Sequence, residues 1–386
     1  LWMDTRPCGE RDDLSGRLGH PISPFAHMPM AMWMAKHRQE AFARARWFLA
    51  AWDFVAMRLS GREAASALAY FSPFPEQEVE ASGLPPTLFP QETGAGRSIA
   101  GLTADAARTT GLPEGLPVVA GVHDGIATFI GAGLVEPGRS ADVNGTSGGL
   151  ALCWTEPIER AGIFSASWLH PGEYIVGGAM AALGKCLDWV REAVAGSCST
   201  WEELIGGAIA TPIGADRLIF LPYLAGERAP IWDPKARGVF FGLSLNHTQE
   251  HLIRAVLESV AYALRHVAEG LVESGARIDE MRVCGGQAKS ESWNQIKADV
   301  LGLPVAIPRV REAALTGAAV LAGVGAGLLP GITAGANQMV RIDRVLEPNP
   351  AHHRRYTDLF SVYKRLYPDL QSAFHQLVAT NQEERC

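Results

Sequence analysis

Residues 116–135 form an apolar run interrupted at its middle by His123-Asp124. A charge at the centre of a membrane span is costly, so the run is not a span. It reads instead as a buried strand over residues 117–121, a short link carrying Asp124, and a helix. A small-residue loop, Asn144-Gly145-Thr146-Ser147-Gly148-Gly149, follows downstream. A carboxylate delivered by an apolar strand, and expected to be buried there, can act as a general base. A loop of Gly, Thr and Ser offers backbone N–H groups and hydroxyls to a phosphate. Together the two features point to phosphoryl transfer onto a hydroxyl.

Composition narrows the alternatives. The 386 residues, 47% of them hydrophobic, suffice for two domains with separate cores. The net charge is −7 and the 34 Lys and Arg are scattered without a basic run, which argues against a nucleic-acid partner. The six cysteines (Cys8, Cys153, Cys186, Cys198, Cys284 and Cys386) form no C-x-x-C pair. That pattern fits a reduced, cytoplasmic chain rather than a metal site or a disulfide framework. No signal peptide or membrane partner is indicated by the sequence.

Pro137-Gly138 marks a candidate boundary between a domain at residues 1–137 and a second at 138–386. In the first, residues 25–59 read as helical, with Met28, Met30, Met32 and Met34 filling a core or an interface. Residues 72–90, rich in Pro and Glu, read as loop, and Ala104–Thr110 as a short helix closed by Gly111. In the second, residues 139–144 and 149–154 read as a strand pair around the Gly-Thr-Ser turn, with further strands at 174–177 and 218–222 and a helix at 183–195. A long helix over residues 248–274 starts at an N-cap Thr248 and stops before Gly275. Strands at 281–284 and 305–307 then alternate with helices at 290–301 and 313–325. Such alternation makes an α/β domain with ligands at its strand ends.

Gly285-Gly286-Gln287-Ala288-Lys289-Ser290 follows a strand and opens a helix, a place where backbone can approach an anionic ligand. Alone it is equally a structural turn; Asn294, one turn into the helix, adds weight to a nucleotide. Residues 226–234 read from composition as a surface loop held by Glu227 and Arg228. Glu258 reads as a solvated position on the long helix.

Gly238, Phe240, Gly242, Leu243, His251, Leu252 and Ala255-Val256-Leu257-Glu258 together resemble the second signature of the FGGY carbohydrate kinases. The likeness continues through Gly285–Ser290, Trp293-Asn294-Gln295-Ile296-Lys297-Ala298-Asp299, Glu312 and Gly317-Ala318-Ala319, and on to the Leu346–Pro350 tail with Tyr356 and Tyr363. Upstream, Trp33, Phe48, Asp53 and Arg58-Leu59-Ser60-Gly61 resemble the first signature region, except that the lysine the family usually has near Trp33 is absent and Met30 occupies that area, so no role is assigned there. The stretch at 226–232 looks most like xylulokinases, and other pentulose and polyol kinases share it.

The resemblance implies two ribonuclease H-like domains of the actin and hexokinase type with a cleft between them. It also implies ATP and Mg2+ as cofactors and a sugar or polyol as the small-molecule partner. It assigns Asp124 as catalytic base, with His123 beside it either touching substrate or hydrogen-bonding the neighbouring backbone. Gly145, Thr146 and Ser147 are assigned to the γ-phosphate, and Gly285, Gly286, Gln287 and Asn294 to the adenosine. The family's leading Asp-x-Gly-Thr hairpin does not occur before Asp124. The expectation is therefore a first domain that is incomplete, exposing unpaired backbone and an apolar face, and little activity from these residues alone. A non-catalytic nucleotide-binding remnant or assembly partner, and an actin-like ATPase, are the alternatives. A homodimer is expected only as the common state of soluble enzymes.

Overall fold

The computed structural model describes residues 4, 6–22, 26–68, 72–143, 148–195 and 200–380. These fall into two compact units, Leu1–Ala127 with Gly317–Gly335, and Thr128–Thr316 with Ala336–Cys386. The chain first passes between units upstream of Pro137-Gly138, and Gly317–Gly335 returns to the first.

The first unit opens with helices α1 (Cys8–Leu18), α2 (Met28–His37), α3 (Gln39–Ala43) and α4 (Ala51–Ser60). The helical stretch expected over residues 25–59 is therefore broken, because the chain leaves the helix after Ala43 and resumes at Ala51. Met28 and Met32 are buried with Leu14, Ala31, Phe74 and Val79 in one cluster, the core role expected of the methionines. Strand β1 (Ala65–Ala67) follows, then α5 (Glu76–Ser82), strands β2 (Glu92–Gly94) and β3 (Ser98–Gly101), α6 (Ala104–Thr110) and β4 (Pro117–Val119). The loop expected at residues 72–90 contains α5: Pro75 precedes it, Gly83 ends it at φ 74°, and Val79 buries its inner face. In α6, Thr103 Oγ1 accepts the Ala106 N–H at 3.2 Å, and Gly111 ends the helix at φ 74°, as the sequence indicates. Among the described residues the strands of this unit form two-stranded pairs only, β1 with β2 in parallel and β3 with β4 antiparallel. An apolar pocket of about 300 Å³, lined by Leu59, Leu102, Leu116, Val118 and Leu321, opens beside β4. Helix α7 (Asp124–Ala132) begins in this unit and ends in the other.

The second unit is built on a seven-stranded sheet. Strands β5 (Arg139–Asp142), β6 (Gly148–Trp154), β7 (Phe164–Ser167) and β8 (Tyr174–Met180) are joined antiparallel in the order β5-β6-β8-β7. Helix α8 (Leu183–Val190), continued by one wider turn over Arg191–Ala195, and α9 (Trp201–Ala210) come next. Among the described residues, strands β9 (Ile219–Leu221) and β10 (Val239–Phe241) pair only with each other, so the strand expected at 218–222 lies outside the main sheet. Helix α10 (Gln249–Glu273) leads to β11 (Glu280–Val283), α11 (Glu291–Leu301) and β12 (Val305–Pro308). Both strands run parallel to β5 on the side away from β6. Helices α12 (Ala313–Gly325) and α13 (Ile332–Met339), strand β13 (Ile342–Leu346) antiparallel to β12, and α14 (Pro350–Thr380) complete the chain. Three antiparallel strands followed by two parallel ones on the far side of the first is the ribonuclease H-like order. Strands β7 and β13 extend it at either edge.

Helix α10 is buried from Ile253 to Arg265, apolar on nearly every face, and packs on Trp293, Tyr356, Phe360 and Tyr363. Glu258, read from sequence as solvated, lies inside this core. Its Oε1 is 2.6 Å from Arg254 Nε and accepts from Tyr356 Oη–H at 2.9 Å and the Gly214 N–H at 3.0 Å. Four turns of apolar neighbours leave the position no route to water, which is why the expectation from charge alone fails.

Candidate functional site

In the first unit, β4 ends at Val119 and residues 120–123 lead irregularly to Asp124, the first residue of α7. The apolar approach suggested a buried acid, but the Asp124 side chain is exposed. The strand stops before it, and a helix begins at it, so the side chain projects from the helix end. Its Oδ1 accepts the Gly125 N–H at 2.8 Å. His123 Nδ1 accepts the same N–H at 3.1 Å and that of Ile126 at 3.4 Å. The imidazole thus caps two N–H groups that a helix start leaves without partners. Both bonds require Nδ1 to be unprotonated, which puts the ring proton on Nε2. Burial holds the His123 pKa below its ordinary value, against the pull of Asp124.

The 120–123 link is held from behind. Ser66 donates its hydroxyl to the Gly121 carbonyl, and its N–H to Asp53 Oδ1 at 3.0 Å. The Trp52 ring lies 5.8 Å from that of His123, and His27 meets Trp52 edge-on at 5.5 Å. Asp53 is almost fully buried, and burial pushes its carboxyl up to about 7. No role for Asp53 follows from sequence beyond its place in a signature region. The helix-initial position of a lone acid ahead of Phe54-Val55-Ala56 is the only signal it leaves.

In the second unit, the residues expected to clasp the γ-phosphate, Gly145, Thr146 and Ser147, lie outside the described residues. Their flanks are fixed: Asp142 ends β5 and Gly148 begins β6, paired antiparallel. Gly285 follows β11 at φ 76°, in the left-handed region that glycine adopts without strain. Its N–H donates to the Arg311 carbonyl at 2.8 Å. Gly286 opens a single 3-10 turn, and Ser290 caps α11 by accepting the Trp293 N–H. Gln287 turns its side chain inward, donating Nε2–H to the Asp142 carbonyl at 3.3 Å. Asn294 is fully buried and donates to the Gln287 carbonyl at 3.1 Å, so it supports the turn from beneath.

Residues 226–234 are not the surface loop that composition suggests. Glu227 is buried, accepts the N–H groups of Ala181 at 2.8 Å and Arg228 at 2.7 Å, and is pushed up to about 7 by burial. Arg228 donates to the Met180 carbonyl at 2.7 Å. Asp233 accepts from Tyr367 Oη–H at 3.0 Å and lies 2.9 Å from His375 Nε2, tying the loop to α14. These bonds replace water for a loop whose backbone would otherwise be costly to bury.

The second unit carries a ribonuclease H-like sheet with glycine turns at its strand ends, and the first unit presents an exposed carboxylate at a helix start, the elements of an α/β phosphotransferase. The N-terminal domain of the FGGY family of carbohydrate kinases matches residues 5–131, and its C-terminal domain matches residues 143–326. The chain belongs to the FGGY family of carbohydrate kinases. It is 29% identical to the xylulose kinase of Staphylococcus epidermidis over 95% of this chain and 77% of that protein. It is 27% identical to the gluconokinase of Bacillus subtilis over 97% of this chain and 79% of that protein. Among solved structures, the gluconate kinase of Lactobacillus acidophilus shares the fold with a TM-score of 0.84 at 23% identity, over 98% of this chain and 80% of that one. No helix of the described residues is long and apolar enough to cross a membrane.

Proposed function

We propose that this kinase transfers the γ-phosphoryl group of ATP to a hydroxyl of a ketose or polyol, a pentulose such as xylulose above others. The observation that carries it is Asp124: an exposed carboxylate at the start of α7, beside an imidazole held neutral and fixed by capping. In the reaction, the sugar oxygen forms a bond to the γ-phosphorus as the bridge to the β-phosphate breaks. The hydroxyl proton passes to Asp124, and ADP leaves. Base assistance of this kind contributes typically ~10²–10⁴-fold. His123 keeps the helix start in place and offers Nε2–H to substrate.

On the nucleotide side, Gly145, Thr146 and Ser147 receive the γ-phosphate, and Gly285, Gly286, Gln287 and Asn294 form the adenosine end. Among the described residues no group of three or more His, Cys, Asp or Glu side chains could hold a metal ion. Mg2+ would come bound to the ATP phosphates, where it would offset their charge, and no step is assigned to it. The unpaired Cys153, Cys186 and Cys284 support a reducing, cytoplasmic setting.

A coupled assay across xylulose, ribulose, gluconate and glycerol tests the proposal, with Asp124→Asn alongside. Expected is turnover highest on a pentulose, abolished in the variant while ATP binding persists. Turnover in Asp124→Asn above about a tenth of the unaltered protein removes Asp124 as base. Preferred turnover of gluconate would move the substrate to an aldonate. ATP binding without phosphorylation of any sugar would favour a non-catalytic role.

A further inference from the structure

Lys297 is fully buried on α11, and the proposed chemistry does not use its charge. Its Nζ stands 2.7 Å from Asp142 Oδ2, and both side chains are without solvent exposure. The same ammonium donates to Gln287 Oε1 and lies 4.1 Å over the Trp293 ring. Asp142 is the last residue of β5, at the entrance to the small-residue loop. Gln287 belongs to the glycine turn after β11 and also donates to the Asp142 carbonyl, while Asn294 holds the Gln287 carbonyl. One buried cation thus joins the strand end that leads into the first loop to the turn that forms the second.

A buried ion pair is a poor way to gain stability, since apolar residues of similar volume often serve as well or better. What such a pair offers is a fixed geometry: a short, directional tie between the end of β5 and the turn after β11. We infer that Lys297 is a positioning residue for nucleotide binding, locking the Gly285–Gln287 turn and the end of β5 in the relative placement that ATP requires. The inference rests on the nucleotide-side assignment above.

The test compares the unaltered protein with the double variant Asp142→Leu, Lys297→Met, which replaces the pair by apolar side chains. ATP binding is read by calorimetry and thermal stability by the unfolding midpoint. Expected is a midpoint equal to or above that of the unaltered protein, with the ATP dissociation constant raised about tenfold or more. In phosphorylation assays KM for ATP rises while KM for the sugar stays. A purely structural pair predicts the opposite, an unchanged ATP constant once the core is repacked, and that result overturns the inference alone. Failure of the unaltered protein to bind ATP overturns the nucleotide-side assignment and the inference with it. If the double variant does not fold, Asp142→Asn serves, since it keeps the volume and one acceptor for Lys297. ATP binding weakened about threefold supports the inference, and an unchanged constant overturns it.

Discussion

Glu258 Oε1 and Arg254 Nε are 2.6 Å apart, one helical turn from each other on α10, and neither side chain has appreciable contact with water. Tyr356 donates to the same carboxylate oxygen and accepts from Arg254 Nη2, joining α14 to the pair. Burial pushes the Glu258 carboxyl up while Arg254 opposes the shift. Removing one partner leaves the other buried and unpaired. Glu258→Ala is expected to destabilise the protein by about 3–5 kcal/mol in chemical denaturation, and the double variant Glu258→Leu, Arg254→Met by far less. Equal losses for the two would show that Glu258 contributes through packing rather than charge.

The same residue shows where sequence falls short. A single glutamate in a helix defaults to solvent, and only its apolar flanks on both sides, Ala255-Val256-Leu257 and Ser259-Val260-Ala261, argue otherwise. The ends of α10 were legible because Thr248 and Gly275 act locally. The β5–β6 pair was legible through two short runs, the second of them apolar, on either side of a small-residue segment. Strand β7 was not, since Phe164–Ser167 is a four-residue, half-exposed edge whose one large apolar side chain, Phe164, stays in contact with water. At the candidate site, His123 as a backbone cap could be anticipated from its place before a helix. The exposure of Asp124 could not, because it depends on where the preceding strand ends. The Lys297–Asp142 tie spans residues far apart in sequence, and no local rule connects them.

Asp53 links the core to pH. Its carboxyl rises from an ordinary 3.8 to about 7, chiefly through burial, with the Ser66 N–H opposing. The folded state therefore binds the proton more tightly than the unfolded state between about pH 4 and pH 7. Stability contributed by this group is fully present below pH 4 and is lost as pH rises towards 7. Asp53→Asn keeps an acceptor for Ser66 and removes the titration. The variant is expected to match the unaltered protein near pH 4 and to exceed it by ~2–4 kcal/mol near pH 8. A stability difference that does not vary over that range would show the carboxyl to be solvated.

The imidazole cap at His123 predicts a graded series. Asparagine is a strong N-cap and can accept the same N–H groups, whereas alanine cannot. His123→Ala is expected to lose ~1 kcal/mol and His123→Asn only a few tenths, both read from urea unfolding. If both variants lose the same amount, the ring acts through its contact with Trp52 instead, at 5.8 Å between centroids.

Gly317 carries the tightest backbone approach in the first unit. A Cβ placed there would stand 1.9 Å from the Ala127 carbonyl oxygen and 2.7 Å from its carbon. The obstacle is backbone, not the end of a flexible side chain, so α12 and α7 must separate to admit even a methyl group. Overpacking of this kind costs about 1–3 kcal/mol. Displacement of Ala127 also disturbs the first turn of α7, whose Ala127 N–H donates to the His123 carbonyl at 3.1 Å. Gly317→Ala is therefore expected to lower kcat as well as the unfolding midpoint, through movement of Asp124 at the head of the same helix. Gly331→Ala, where an added Cβ meets nothing within 4 Å, is the control expected to leave both unchanged. A Gly317→Ala protein with normal turnover would show that α7 tolerates the shift and that Asp124 does not depend on this contact.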